Sequence, residues 1–116
     1  MKVLLVDDER DVRYMLRMAL RARGFVVEES ESGEEALSRC ATEDFDAIVV
    51  DYRMPTLTGI EVIRELRRQG LQTPMILYSA YLDAEVEAEA DAAGVPAVGK
   101  ENLTRLLTSI EEATSG

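Results

Sequence analysis

Asp46-Ala47-Ile48-Val49-Val50-Asp51-Tyr52-Arg53-Met54-Pro55 sets a short apolar run against a single carboxylate, followed by a proline-containing loop. A run this short, bounded by turn-forming residues and free of alternating polar positions, predicts a β-strand over Asp46–Val50 that is buried on both faces. Such strands belong to parallel sheets covered by helices. Asp51 then falls at the C-terminal end of the strand. Beyond the loop, Thr58-Gly59-Ile60-Glu61 has the spacing of a capping box, so a helix is predicted to about Gln69, with Gly70 as its stop.

The same alternation extends outward in both directions. Upstream, Lys2–Val6 reads as a strand, and Val12, Met15, Leu16, Ala19 and Leu20 recur at helical spacing until Gly24. Phe25–Glu29 is the next predicted strand, and Ser32-Gly33-Glu34-Glu35 offers a second capping box for a helix to about Cys40. Downstream, the strand Pro74–Tyr78 precedes a helix over Leu82–Ala93 that ends at Gly94, then a brief strand Val95–Val98 and a last helix Leu103–Ala113. Five β-α units in 116 residues make one α/β domain, a doubly wound five-stranded parallel sheet with helices on both faces. Sheets of this kind bind ligands outside the carboxyl ends of their strands.

Composition narrows the chemistry. Thirteen Lys and Arg against 23 Asp and Glu give a net charge of −10, which repels a phosphate backbone and argues against direct nucleic-acid binding. One cysteine closes no intrachain disulfide, and the absence of histidine excludes His-based triads and His/Cys zinc clusters. The apolar runs are far shorter than the ~18 residues of a membrane span, and the N-terminus lacks the apolar stretch of a secretory signal. A cytoplasmic location and no membrane partner are therefore expected.

The predicted strand ends gather Asp7 and Asp8, Asp51, Ser79 and Ala80, and Lys100 on one edge of the sheet. Taken singly, each has an ordinary reading: a helix cap for either N-terminal acid, a turn residue for Ser79, a solvated lysine for Lys100. Taken together they do not. Three adjacent carboxylates repel by about 4 kcal/mol per pair at 4 Å and an effective dielectric near 20, so such a cluster is kept cheaply only beside a cation.

Asp7-Asp8 after the first strand, Asp51-Tyr52-Arg53-Met54-Pro55-Thr56-Leu57-Thr58-Gly59 after the third, Ser79-Ala80 after the fourth and Lys100 after the fifth resemble the receiver domain of bacterial two-component response regulators. The match spans nearly the whole chain. The resemblance implies a flavodoxin-like sheet of order 2-1-3-4-5 and a single receiver domain over residues 1–116, without an output domain. It implies Asp51 as phosphoacceptor and Mg²⁺ held by Asp7, Asp8, Asp51 and the backbone carbonyl of Arg53, with Asp7 acting through water. Lys100, the Ser79 hydroxyl and the Ala80 backbone N–H would bind the phosphoryl group, and Arg53 and Tyr81 would modulate its hydrolysis. The implied partners are a histidine kinase or histidine phosphotransfer protein and a downstream protein target. The chain would be a regulator rather than an enzyme, catalysing only its own phosphoryl transfer and slow dephosphorylation.

Two positions depart from the family pattern. Glu101 stands where proline usually follows the lysine, so a trans peptide is expected there. Ala97 stands where an aromatic ring usually relays the state of the pocket, which leaves Tyr81 as the residue able to move. Tyr78, on the opposite strand face from Ser79, reads as core. Arg10, Arg13, Arg17 and Arg21 form a basic stripe that is either a solvated face or a steering surface for an acidic partner. Two other readings stand beside the phosphoacceptor: a receiver-like interaction domain independent of phosphorylation, motivated by Ala97 and Glu101, and an acid-pair phosphohydrolase. The second lacks the further acid two positions after Asp51 that would protonate a leaving group.

Overall fold

The computed structural model describes residues 1–115. The elements run β1 (Lys2–Val6), α1 (Arg10–Ala22), β2 (Val26–Ser30), α2 (Gly33–Thr42), β3 (Ala47–Asp51), α3 (Gly59–Arg68), β4 (Met75–Ser79), α4 (Ala84–Ala93), β5 (Ala97–Gly99) and α5 (Leu103–Thr114). The five strands are all parallel, in the order β2-β1-β3-β4-β5. The flavodoxin-like architecture expected from the sequence is the architecture of the protein.

Both faces of the sheet are covered, which is why the central strands carry almost no polar residue. Leu4, Val6, Ile48, Val50, Met75 and Leu77 pack beneath α2, α3 and α4, against Ile60, Ile63, Leu66, Val86 and Ala90. Their neighbours Val3, Leu5, Val49, Ile76 and Tyr78 point the other way, to Leu16 and Leu20 of α1 and Leu106 and Ile110 of α5. Among the described residues no helix is long and apolar enough to cross a membrane.

Strands β2 to β5 begin one or two residues later than the sequence spacing suggests. Asp46 lies outside β3 because its carboxylate accepts the Lys2 backbone N–H at 2.7 Å, while Asp51 is drawn inside by its pairing with Tyr78. Helix α4 begins at Ala84 rather than Leu82, since the Asp83 side chain accepts the Val86 N–H at 3.0 Å and so caps it. The Thr58 capping box is complete. The Ser32 box is half formed: Ser32 Oγ accepts the Glu35 N–H, but the Glu35 carboxylate turns to the Glu31 N–H instead. In α1, Met15 is exposed and Arg13 is buried, the reverse of their apolar ranking, because Arg13 finds acceptors inside.

Gly59 opens α3 directly against the end of β3. A Cβ there would lie 2.3 Å from the Asp51 carbonyl oxygen and 2.9 Å from a Leu77 methyl, and a backbone atom cannot yield as a side chain does. Gly59→Ala is expected to lower stability by about 2–3 kcal/mol, read as a fall in the urea midpoint. An unchanged midpoint would mean that α3 slides away freely.

Candidate functional site

Parallel strands deliver their C-terminal residues to one edge, and here that edge carries Asp7 after β1, Asp51 closing β3, Ser79 closing β4 and Lys100 after β5. Asp7 is 0% and Asp51 1% exposed, whereas Asp8 is exposed on the rim. Carboxylate oxygens of Asp7, Asp8 and Asp51 all lie within 4.8 Å of one another. Lys100 reaches into this cluster: its Nζ is 3.1 Å from Asp51 Oδ1, 3.4 Å from Asp7 Oδ2 and 3.5 Å from Glu9 Oε1. Burial alone would lower the Lys100 pKa, but Asp51, Asp7 and Glu9 together hold it above the usual lysine range.

Asp51 is the acid under greatest stress. Burial first, and the negative charge of Asp7 second, push its carboxyl up to about 7, against the opposing pull of Lys100 and the Arg53 backbone N–H. Its Oδ1 has Lys100 and, at 3.4 Å, the Arg53 N–H. Its Oδ2 is buried without a hydrogen-bond donor among the described residues. An orphaned carboxylate oxygen beside two further carboxylates is a set of hard oxygen donors short of positive charge, so the residues present fit a divalent cation.

Asp7 is held from several sides. Its Oδ1 accepts the Glu9 N–H at 2.8 Å, and its Oδ2 accepts the hydroxyl of Tyr78. Neither acid of the Asp7-Asp8 pair caps α1, which begins at the N-cap Glu9 with no side-chain cap. The Asp7 backbone carbonyl accepts Arg13 Nη1 at 2.7 Å, and Arg13 Nε bonds Glu29 at 3.0 Å. Arg13 therefore ties the β1–α1 junction to β2.

The basic stripe of α1 is accordingly divided. Arg13 and Arg17 are both paired with Glu29, leaving Arg10 and Arg21 exposed without an ion pair among the described residues. Helical spacing carries no signal for this pairing, which follows from the β1–β2 register that sets Glu29 opposite Leu5, near the site end of the sheet. Tyr78 is core, as its strand face suggests, yet its hydroxyl extends past the strand into the acidic cluster; sequence reasoning saw the ring and missed the tip.

The remaining residues lie around the mouth. The Ser79 hydroxyl is engaged with its own loop, donating to the Tyr81 carbonyl at 2.9 Å and accepting the Tyr81 N–H at 3.3 Å. Ala80 is exposed beside it, and Ala97 is half-buried on β5. Arg53 is exposed, Tyr81 is 74% exposed, and neither side chain bonds Asp51 among the described residues. The Lys100–Glu101 peptide is trans, as are all described peptides, and the Glu101 carboxylate folds back against Gly99. Thr56 holds a φ of +70° in the loop after Asp51, a left-handed conformation unusual for a β-branched residue.

Comparison with known proteins agrees with this geometry. Residues 3–111 match the family model described as the response regulator receiver domain. Over 80 residues, 69% of its length, the chain is 44% identical to the response regulator MprA of Mycobacterium avium, and this covers 35% of that protein. The chain thus spans about a third of the length of such relatives. The receiver domain of the Francisella response regulator 1452 superposes with a TM-score of 0.92 at 28% identity, covering 98% of this chain and 96% of that one. The response regulator TrrA of Thermotoga maritima, solved in complex with Mg²⁺-BeF, gives 0.86 at 29% identity over 97% of both chains.

Proposed function

From the membership of this chain in the response regulator receiver domain family of two-component systems, we propose that it accepts a phosphoryl group on Asp51 and passes its state on through protein contacts. The donor is a phosphohistidine of a histidine kinase or histidine phosphotransfer protein. The observation that carries the reading is the juxtaposition of a buried, half-satisfied Asp51 with Lys100 Nζ at 3.1 Å.

In the transfer, one carboxylate oxygen of Asp51 forms a bond to phosphorus as the bond from phosphorus to the imidazole nitrogen breaks, and the electron pair of that bond leaves with the imidazole. The attack joins two anions, so its barrier is governed by positive charge placed beforehand. Lys100 supplies one such charge from a fixed position between Asp7 and Asp51. Asp7, Asp8, Asp51 and the Arg53 carbonyl would hold Mg²⁺, which when bound neutralises the phosphoryl oxygens and the acid cluster together. Ser79 reaches the phosphoryl group only by giving up its two bonds to Tyr81, so occupancy of the pocket releases that loop. The chain does no chemistry on other substrates in this reading.

The test is intact mass after incubation with acetyl phosphate and Mg²⁺. The wild type gains one phosphoryl group; Asp51→Asn gains none, and chelator suppresses the gain. No gain by the wild type would overturn the reading in favour of an interaction domain independent of phosphorylation, a role consistent with Ala97 in place of an aromatic relay.

By the family resemblance Arg53 and Tyr81 are the residues that would flank the approach of water to the phosphorylated carboxylate, and both are bulky. Loss of phosphoryl mass with time is expected to be severalfold faster in Arg53→Ala or Tyr81→Ala than in the wild type. Equal decay in all three would remove both from the control of lifetime.

A further inference from the structure

Resting on that reading of the pocket, we propose that Tyr78 is a positioning residue: its hydroxyl fixes the Asp7 carboxylate for the cation, and its ring forms the floor under the Lys100 ammonium. Tyr78 belongs to the core between the sheet and helices α1 and α5, packed among leucine, valine, isoleucine and alanine side chains. Leucine or valine would satisfy that packing. Tyrosine adds one polar atom in a place that is 1% exposed, and burying a hydroxyl costs free energy that a hydrogen bond offsets. Its partner is Asp7 Oδ2.

The consequence for Asp7 follows from counting acceptor sites. A carboxylate offers about four lone-pair directions. The Glu9 N–H takes one on Oδ1, and the Tyr78 hydroxyl takes one on Oδ2. Donors on both oxygens, approaching from different elements, fix the orientation of the carboxylate, which lies 3.4 Å from Lys100 Nζ and within 4.8 Å of an Asp51 oxygen. Asp51, by contrast, has donors on Oδ1 and, among the described residues, none on Oδ2. The pocket therefore presents a divalent ion with one acid already oriented and one acid waiting for charge.

The ring does a second job. Lys100 Nζ sits 5.1 Å from its centroid, within the range of a cation–π contact, so the ammonium has an aromatic surface beneath it and carboxylates beside it. One side chain of β4 thus holds an anion from just beyond β1 and a cation from just beyond β5. This role is separate from that of Ser79, the next residue, whose hydroxyl is engaged with the Tyr81 backbone.

Tyr78→Phe removes the hydroxyl and keeps the ring. Removing a hydrogen bond that orients a metal-binding carboxylate lowers affinity by 10–100-fold, so the Kd for Mg²⁺ is expected to rise about tenfold, measured by calorimetric titration with MgCl₂. Packing alone would shift the thermal midpoint and leave the Kd in place. In an Asp7→Asn background the same substitution is expected to change the Kd by less than twofold, because the hydroxyl acts through Asp7. Tyr78→Leu, which keeps an apolar side chain on the strand, serves as a second variant and should weaken Mg²⁺ at least as much. A folded Tyr78→Phe or Tyr78→Leu with Mg²⁺ affinity within twofold of the wild type overturns the positioning role, while wild-type phosphorylation of Asp51 stands. Absence of Mg²⁺ binding by the wild type overturns this role together with the metal-dependent reading above.

Discussion

In chelator at pH 8, Asp51→Asn is expected to unfold roughly 8 °C above the wild type, a gain of about 2 kcal/mol at about 4 °C per kcal/mol for a domain of this size. The sign follows from proton binding. Asp51 titrates at about 7 in the folded chain against 3.8 ordinarily, so between those values the native state holds a proton that the unfolded state has released. Stability contributed by this site therefore falls as pH rises through the window, by at most about 4 kcal/mol, and asparagine removes the dependence. At pH 4 the two proteins should unfold within a few degrees of each other, and the gap should open toward pH 8. Mg²⁺ at 100 times its Kd adds about 2.7 kcal/mol to the wild type, closing or reversing the gap. Wild-type and variant midpoints that stay parallel across pH 4–8 would show that Asp51 is not strained by its surroundings.

Lys100→Met is expected to have the opposite effect, a loss of about 2–3 kcal/mol in chelator at pH 8, seen as a lower urea midpoint. Breaking a buried pair by removing one partner costs about 3–5 kcal/mol because the other charge is left uncompensated; the 17% exposure of the Lys100 side chain reduces that figure. The variant leaves Asp7 and Asp51 facing each other with no ammonium between them. Protonation of Asp51 relieves this, so the loss should shrink by half or more at pH 5.5. A loss that is equal at both values, or absent, would place the importance of Lys100 elsewhere.

The sheet was legible in the sequence because burial on both faces forces apolar runs, and the helices because their caps are spelled out by Thr58 with Glu61 and by Gly94. The polar edge was legible for a related reason: a carboxylate, a hydroxyl and an amine each ended a strand. What escaped was the reach of side chains between elements. Periodicity says that Tyr78 faces α1 and α5, but not that its hydroxyl clears the end of β4 and meets Asp7. Helical spacing groups Arg13 with Arg10 and Arg17, but only the parallel register of β1 with β2 brings Glu29 within its range. Ser79 was correctly seen at the edge, whereas its engagement with Tyr81 depends on a turn that no spacing rule encodes.

The distribution of the pocket along the chain also bears on how the molecule assembles on the ribosome. Asp7 follows β1 and Asp51 closes β3, neighbours in the sheet, while their shared ammonium arrives on Lys100, after β5. A nascent chain that has emerged only as far as α3 can pair β1 with β3, but doing so presses two carboxylates together with no lysine yet available. The two carboxylates therefore gain their shared ammonium only once β4 and β5 have been added, so a sheet of β1 and β3 alone lacks the charge that compensates its acidic edge.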